Sequence, residues 1–467
     1  MSARVKCIAG GPESLSRRRL LKLAGASGAC GVLAALGRGT ALAQAASNYK
    51  ALVCIALVGG NDGENTLVRY DNAGYQHYAS IRTPASGINI PQGQLLPVQP
   101  ASVATPFGFH PSCGGFKALF DQRKLAVVAN VGPLVQRVTK AGLEHQGSPQ
   151  PANLFSHNDQ QLAMESADYT GLVRTGWGGR AVDRIEPFNA GSLFPAMVSI
   201  GGMQPFLNGE TIVPLTLSES PGVGIHGSGV PGALNHDPLR EAAVRNILAL
   251  ERDNVYDTVA QNMSRKGIES ASVVTPLLQN PASIVAPFFN SLGSSISRQL
   301  KNVALLIEGR ATTGMKRQVF YVSQGGYDTH GSQSGTHQYL LGDLSAAVKA
   351  FQDAMTAIGM ADSVTSFTLS DFGRAFKPAA DNGTDHGWGN YGFVVGGAVR
   401  GGDIYGTLPN QTLNGPDDFG DAGRWIPSTS LDQFAAPLVR WLGVPESDMP
   451  YVLPNLATFP GPLPAFI

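Results

Sequence analysis

The stretch ALVCIALVGGNDG, residues 51–63, combines an uninterrupted apolar run with a glycine-rich turn that carries a carboxylate. A continuous apolar run of this length is typical of a strand that is buried on both faces, as in a parallel sheet. Ligands in open α/β proteins bind beyond the carboxyl ends of such strands, so Asp62 in the turn is a candidate site residue. The stretch therefore predicts both a fold class and the edge of the sheet where chemistry would occur.

Three more apolar runs predict further strands, at residues 125–131, 318–323 and 366–370. Between the last two runs, apolar side chains recur every three or four positions from Leu340 to Ile358, which predicts a helix of about five turns. A strand, a helix and a second strand form a βαβ unit, which favours a mainly parallel sheet.

Length and composition fit one large α/β domain or two domains of ordinary size. The chain has 467 residues, of which 43% are hydrophobic, so a sizeable core can be buried. Residues 240–262 predict another helix, and the weakly patterned section at about residues 181–305 is a candidate insertion or cap. We therefore predict a single α/β domain over residues 44–467, with a mainly parallel central sheet flanked by helices.

The formal charge of zero is the sum of two segments with opposite signs. Basic and acidic residues number 34 each, but residues 1–43 contain seven basic residues and one acidic residue. The rest of the chain has 27 basic and 33 acidic residues, a net charge of −6. A protein that wraps nucleic acid needs a basic excess, so no nucleic-acid partner is expected.

The basic N-terminal segment is typical of an export signal. Residues 16–22, SRRRLLK, match the twin-arginine pattern, and Ala41-Leu42-Ala43 offers a cleavage site of small residues. The apolar stretch between them is too short and too rich in glycine and serine for a membrane span. A basic N-terminus without a targeting role is the alternative. We expect export by the twin-arginine machinery to the periplasm or the medium, with no stable membrane span.

Two cysteines, Cys54 and Cys113, follow this signal segment. Their spacing is not that of a metal site. One disulfide is compatible with export, and a buried free thiol is compatible with the apolar run around Cys54.

Polar turns that follow predicted strands supply candidate metal ligands. Each contains a carboxylate or an imidazole in a glycine-rich context, and such groups bind Zn²⁺, Mn²⁺ or Ca²⁺. An aspartate beside a glycine is also ordinary turn chemistry, so each turn taken alone favours a structural role. The prediction of a metal site depends on their convergence at one sheet edge. The candidates are Asp62, Asp328, His330, Asp371 and His386.

A separate polar segment contains Ser156 next to His157. A serine beside a histidine is a candidate nucleophile. Ser156 is equally a candidate N-cap of a helix, with Asp159 behind it. The two roles are compatible, because a helix N-terminus also stabilises an anion.

These motifs, taken in order, resemble the domain of unknown function 1501 family. They are GGNDGENT at 59–66, SH at 156–157, DTH at 328–330, SDFGR at 370–374 and TDHGWGN at 384–390. That family is grouped with the alkaline phosphatase and sulfatase superfamily. The resemblance therefore implies an alkaline phosphatase-like α/β fold and one or two divalent metal ions.

The resemblance also implies roles for individual residues. Asp62 looks like the first metal-ligand aspartate, and Ser156 looks like the nucleophile, with Thr66 as a weaker alternative. Asp328 and His330 resemble the aspartate and histidine of one metal site. In the same way, Asp371 and His386 resemble the late aspartate and the final metal-binding histidine of the superfamily.

The chain departs from the superfamily pattern at Phe372, where the phosphatases have a histidine. The site would then hold one metal, or two with a substitute ligand such as His157. Arg374 in the same turn would be a bidentate partner for a phosphate or sulfate group.

Two functions follow as hypotheses. The first is an exported metal-dependent hydrolase of phosphate or sulfate esters, with Ser156 as a metal-activated nucleophile and a small molecule or glycan ester as substrate. The second is a non-catalytic relative that binds an envelope glycan, an anionic ligand or a partner protein, and Phe372 is the feature that favours it.

Overall fold

A computed structural model describes residues 49–144, 148–169, 174–192, 194–220, 237–250 and 253–467. Residues Tyr49–Ile467 form one compact unit. The predicted export signal at residues 1–43 lies outside the described residues, and the predicted division of the chain stays a prediction.

The described residues contain fourteen short or medium strands and thirteen α-helices. The strands are β1 (Lys50–Leu57), β2 (Leu67–Arg69), β3 (Leu96–Val98), β4 (Phe107–Phe109), β5 (Leu125–Gly132), β6 (Met197–Ser199), β7 (Leu215–Thr216), β8 (Arg317–Gln324), β9 (Val364–Ser370), β10 (Arg374–Pro378), β11 (Thr384–His386), β12 (Asn390–Gly396), β13 (Asp403–Tyr405) and β14 (Thr429–Ser430). The helices are α1 (Gly63–Thr66), α2 (Asn72–Ile81), α3 (Gly114–Asp121), α4 (Lys140–Glu144), α5 (His157–Ser166), α6 (Trp177–Ile185), α7 (Pro238–Ile247), α8 (Val255–Leu278), α9 (Ser295–Glu308), α10 (Arg310–Thr313), α11 (Gln333–Ala357), α12 (Leu431–Leu442) and α13 (Met449–Val452).

A large central sheet organises the unit. Its strand order is β13-β5-β12-β9-β1-β8-β6-β7, with β14 paired to β5 beside that path. Every pair of neighbours is parallel except the two pairs of β12, which runs antiparallel to β5 and to β9. Helices α3, α5, α6, α9 and α12 contact its strands. The predicted α/β fold, with a mainly parallel sheet flanked by helices, is confirmed.

The four predicted strands all lie in this sheet, as β1, β5, β8 and β9, within two residues of the predicted bounds. The predicted helix from Leu340 to Ile358 is found as part of α11, which begins earlier, at Gln333, and ends one residue earlier, at Ala357. The first turns of α11 have no apolar periodicity because their buried residues are polar. Gln333 and His337 are buried there as hydrogen-bond partners of Asp62 and Asn61.

The middle of the chain is only partly separate from the central sheet. Strands β6 and β7 extend the sheet beyond β8, and α9 packs against β8 and α11, so these parts of the predicted insertion at 181–305 belong to the main layers. The predicted helix over residues 240–262 is wrong in one respect, because two helices, α7 and α8, occupy this section. The Asn254 side chain accepts a hydrogen bond from the Tyr256 amide and starts α8 as a new helix.

Strands β1, β8 and β9 end at the same level. Leu57 is paired with Gln324 on one side and with Ser370 on the other. Gly59 follows with a φ of +112°, and a side chain there would collide with the Asp328 amide. The turns after the three strands therefore meet at one edge of the sheet, as the sequence predicted.

Two negative findings concern the described residues alone. None of their helices combines the length and the hydropathy that crossing a membrane requires. Cys54 and Cys113 are both buried free thiols, so the alternative of a disulfide between them is wrong.

Glu64, in α1, is a buried carboxylate whose ionisation couples folding to pH. It accepts hydrogen bonds from Trp425 Nε1, at 2.9 Å, and from the Gln411 amide. Burial raises the pKa of Glu64 to about 7, against the opposing charge of Arg82. The unfolded chain ionises first as the pH rises, so the stability that depends on a neutral Glu64 is present at acid pH and is lost as the pH rises through about 7.

We expect Glu64→Gln to remove this pH dependence. The gain in free energy of unfolding over the parent chain should be near zero at acid pH and should reach about 3 kcal/mol above neutrality. Urea unfolding at acid and at mildly alkaline pH measures it. The exposed Glu269→Gln serves as the control and should show no gain at either pH. Parallel pH profiles for Glu64→Gln and the parent chain would contradict the shift.

Candidate metal centre

Three imidazoles converge on one carboxylate oxygen at the sheet edge. Asp328 Oδ1 lies 3.3 Å from His157 Nε2, 3.0 Å from His330 Nε2 and 3.3 Å from His386 Nε2. Asp328 and His330 belong to the turn after β8, His386 ends β11, and His157 begins α5. Three separate segments of the chain thus supply the four residues of one cluster.

The hydrogen bonds on the far side of two rings set their tautomers. His157 Nδ1 lies 2.8 Å from Asp371 Oδ2, and His386 Nδ1 lies 2.6 Å from the carbonyl oxygen of Phe155. These oxygens accept hydrogen bonds, so each Nδ1 carries the proton. In the neutral rings, both Nε2 atoms then present lone pairs to Asp328.

This donor set fits a divalent cation. His157 Nε2 is buried and has no hydrogen-bond partner, since its approach to Asp328 lacks hydrogen-bond geometry. Lone pairs that face a carboxylate repel it unless a proton or a cation lies between them. In a tetrahedral zinc site with ligand bonds of 2.0–2.1 Å, neighbouring ligand atoms are about 3.3 Å apart, close to the separations found here.

The potential ligands fall into two overlapping groups. His157, Asp328 and His386 form one, and His330, Asp385 and His386 form the other, with the ligand atoms of each group within 4.8 Å of one another. His386 is common to both. Two or three nitrogen donors with one carboxylate suit zinc better than calcium, which prefers oxygen ligands.

Asp371 was predicted as a direct ligand, but it belongs to neither group found among the described residues. Its Oδ2 accepts hydrogen bonds from the Gly59 amide, at 3.0 Å, and from His157. Carboxylates that hold the second nitrogen of a metal-binding histidine are common in metal sites. The hydrogen bond also raises the pKa of His157, so a cation would have to displace a proton from Nε2 at low pH.

Arg374 braces the cluster from inside the protein. Its side chain is fully buried and donates to Asp328 Oδ1 at 2.9 Å, to Thr384 and to the Gly59 carbonyl. Burial alone would raise the pKa of Asp328, but the hydrogen bond and charge of Arg374 outweigh it and hold that pKa below its usual value. Every nitrogen of Arg374 has a partner within the protein, which disfavours the predicted role as a bidentate phosphate or sulfate binder.

Phe372 forms the apolar floor of the cluster. It is almost completely buried, and its ring centroid lies 4.7 Å from that of His157 and 4.6 Å from that of His386. Gly60 makes room for it, because a side chain there would meet the Phe372 ring at 2.5 Å. The inner side of the cluster is therefore formed by a hydrocarbon ring that offers no ligand atom.

Asp62 lies elsewhere, and its predicted role as a metal ligand needs correction. Its carboxylate forms a completely buried ion pair with Arg82 at 2.7 Å and also accepts from Gln333 and from the Asn65 amide. Asp62 therefore anchors the turn after β1, and its two oxygens are already occupied by donors of the protein.

Ser156 lies at the margin of the cluster. It is the N-cap residue of α5, but its side chain does not bond to the helix amides and instead donates to Asp159 Oδ2 at 2.6 Å. Its neighbours on both sides, Phe155 and His157, contact His386. The predicted N-cap position of Ser156 is confirmed, although without a side-chain capping hydrogen bond, and the hydroxyl remains a candidate nucleophile.

Two groups at the candidate metal centre were not predicted from the sequence. Asp385 directly precedes His386, which was a predicted ligand, so the sequence motif could have indicated Asp385 as well. The carbonyl of Phe155 could not be recognised, because it depends on a backbone φ of +70° that is rare for a bulky residue. This conformation is adopted where that carbonyl meets His386.

A family model described as "Protein of unknown function (DUF1501)" matches residues 261–418, about a third of the chain. The matched stretch contains Asp328, His330, Asp371 and His386, whereas His157 lies outside it. No curated protein matches the chain.

Solved structures show only a partial likeness. The PsFucS1 sulfatase from Pseudoalteromonas sp. is 9% identical, with 88% of this chain and 71% of that chain covered and a TM-score of 0.36. Ps i-CgsB in complex with k-i-k-neocarrahexaose is 10% identical, with coverages of 86% and 74% and a TM-score of 0.31. A variant of alkaline phosphatase PafA is 11% identical, with coverages of 70% and 64% and a TM-score of 0.27. At such scores the chemistry of the site has to be argued from its own residues.

Proposed function

We propose that this chain is an exported, divalent-metal-dependent hydrolase of phosphate or sulfate esters. The observation that carries the proposal is the convergence of imidazole nitrogens and the Asp328 carboxylate at the carboxyl edge of the sheet. Membership of the DUF1501 family over the whole chain, removal of residues 1–43 by the twin-arginine route and a periplasmic or extracellular location are parts of the same proposal.

Zinc is the metal that the donor set favours. His157, Asp328 and His386 would hold one ion, with His330 beside them. When bound, the cation supplies Lewis acidity, which stabilises negative charge on an ester oxygen and lowers the pKa of a nearby hydroxyl group. Asp328 and His330 are about half exposed, so an ester can approach from solvent.

The residues of this chain would divide the remaining work. Ser156 Oγ, which already donates to Asp159 Oδ2, would attack the phosphorus or sulfur atom as Asp159 takes its proton. The bond from that atom to the ester oxygen would break, and the departing oxygen would take a proton from solvent and leave as the alcohol. Phe372 closes the inner side against water, and Arg374 keeps Asp328 ionised. Water would then release the ester formed on Ser156.

The proposal is tested by loading the full-length exported protein with zinc and screening aryl phosphates and aryl sulfates. Turnover that disappears with a chelator and returns with zinc is the expected result. If protein that binds zinc stoichiometrically turns over none of these esters, the hydrolase assignment is wrong.

Ser156→Ala is expected to lower turnover at least about a thousandfold, since loss of a nucleophile removes most of the chemical acceleration. Zinc content should not change, because Ser156 belongs to neither ligand group. Ser80→Ala, an exposed hydroxyl remote in sequence, is the matched control. Full turnover in Ser156→Ala would assign the attack to water.

A non-catalytic binding protein is the second candidate. Two observations favour it: every guanidinium nitrogen of Arg374 is already hydrogen-bonded within the protein, and Phe372 presents to the inner side of the cluster a hydrocarbon ring that offers no ligand atom. The metal would then be structural and would hold the segment before α5 against β11. The bound partner would be an envelope glycan, an anionic ligand or a protein. Zinc removal should in that case lower the Tm, with no ester turned over.

A further inference from the structure

Asp371 is the most enclosed acidic group that contacts the cluster. It directly follows β9 and is 3% exposed. One oxygen, Oδ2, accepts both the Gly59 amide at 3.0 Å and the His157 ring at 2.8 Å. The carboxylate is thus tied to the rigid end of β1 on one side and to a candidate ligand on the other.

The contact matters because an imidazole has two usable nitrogens. With a proton on Nε2, His157 could not bind a cation through that atom, although Nε2 is the atom that faces Asp328. An acceptor fixed at Nδ1 keeps the proton there and leaves the Nε2 lone pair free. Phe372, packed on the ring face at 4.7 Å, limits rotation of the ring out of this contact.

We propose that Asp371 is a positioning residue, which binds no metal but holds the Nδ1–H of His157 so that Nε2 faces the metal position. The metal-orienting role of Asp371 rests on the proposed function. The tautomer of His157 does not, because it is a property of the metal-free protein. The same geometry makes Gly59 part of the device, because its amide fixes the carboxylate.

Histidine NMR on the metal-free, full-length protein tests the tautomer directly. The chain has nine histidines, and His157→Gln identifies the signal of His157 in ¹⁵N-histidine-labelled protein. At alkaline pH, where the ring is neutral, we expect the Nδ1–H form in the parent chain. Asp371→Asn keeps an oxygen acceptor and should retain that form, whereas Asp371→Leu should lose it. An Nε2–H form in the parent chain would overturn the proposal.

Metal affinity separates a positioning role from direct ligation. In competition with a chelator, Asp371→Leu should bind zinc about 10–100-fold more weakly, as is typical when a residue that hydrogen-bonds to a metal ligand is removed. Asp371→Asn should lose less zinc affinity. The visible spectrum of the cobalt-loaded protein should keep its shape in Asp371→Asn. A changed cobalt spectrum in that variant, or a loss as complete as that of Asp328→Ala, would make Asp371 a ligand and overturn the proposal.

Controls keep the two proposals distinguishable. Asp381→Asn removes an exposed carboxylate in the hairpin between β10 and β11 and should not change zinc affinity. Circular dichroism reports whether Asp371→Leu folds, and the parent chain and Asp371→Asn decide the question if it does not. If the parent chain binds no divalent cation, the proposed function fails, while the NMR result still decides the role of Asp371.

Discussion

His386→Ala is expected to lower the affinity for zinc by more than about a hundredfold. Mutation of a residue that only hydrogen-bonds to a metal ligand already lowers metal affinity about 10–100-fold, and loss of a ligand should lower it more. His386 is the one residue that both candidate ligand groups contain. Its loss removes a nitrogen donor whose Nε2 lone pair is fixed by the Phe155 carbonyl. Competition with a chelator measures the affinity, and metal analysis of the purified protein measures the content.

His77→Ala is the matched control for this change. His77 is also partly buried, and its Nε2 contacts the Gln411 carbonyl at 2.7 Å, away from the cluster. Its replacement should leave zinc binding unchanged. His157→Ala then separates the two groups, because it should abolish binding in the first group and spare the second. Unaltered zinc affinity in His386→Ala would show that the cluster is not the metal site.

Arg82→Ala is expected to lower the free energy of unfolding by about 3–5 kcal/mol, the cost of leaving a buried charge without its partner. The Arg82 and Asp62 side chains are both completely inaccessible and lie 2.7 Å apart. Arg82 also donates to the carbonyl groups of Ala375 and Phe376, so the turn after β1 would lose its link to β10. Urea unfolding at neutral pH measures the loss.

The loss in Arg82→Ala should shrink at acid pH. Burial raises the pKa of Asp62, but Arg82 more than offsets this and holds the pKa below its usual value. The pair therefore stabilises the fold at every pH where Asp62 is ionised, and this contribution is lost as Asp62 becomes protonated on acidification. An equal loss at acid and neutral pH would contradict this account.

Two controls bracket the prediction. Asp121→Ala breaks a surface pair with Lys117 and should cost at most about 1 kcal/mol, because solvent screens both charges. Asp62→Asn should leave zinc affinity unchanged. A loss of zinc affinity as large as that of His386→Ala would return Asp62 to the set of metal ligands.

The sheet was predictable because its signals are local. Buried parallel strands appear as apolar runs, and α11 shows its periodicity wherever its buried side chains are apolar. Prediction failed where buried groups are polar, as at Gln333 and His337, since a hydrophobic pattern cannot show a helix turn that is buried through hydrogen bonds. It also failed between α7 and α8, where one capping side chain separates two helices.

The candidate site was predictable as a set of turns, and less so as a set of roles. Asp328, His330 and His386 come together as expected, because β1, β8 and β9 end at one level and bring the following turns to one edge. Asp62 and Asp371 occupy similar turns, yet each contacts a residue that the motifs did not link to it. Asp62 is paired with Arg82, which lies outside every motif, and Asp371 contacts His157, which is far away in the chain.

The sequence by itself determined the fold class, the edge of the sheet where the polar turns gather and the residue types available there. Apolar runs and glycine turns are properties of short segments, and neighbouring residues suffice to show them. Only the tertiary structure decided which carboxylate faces the imidazoles, which one orients a ring and which one is paired with arginine. Those roles depend on contacts between segments that lie far apart in the chain. His157 and Asp371, for example, are 214 residues apart, and only the folded chain brings them within hydrogen-bond reach.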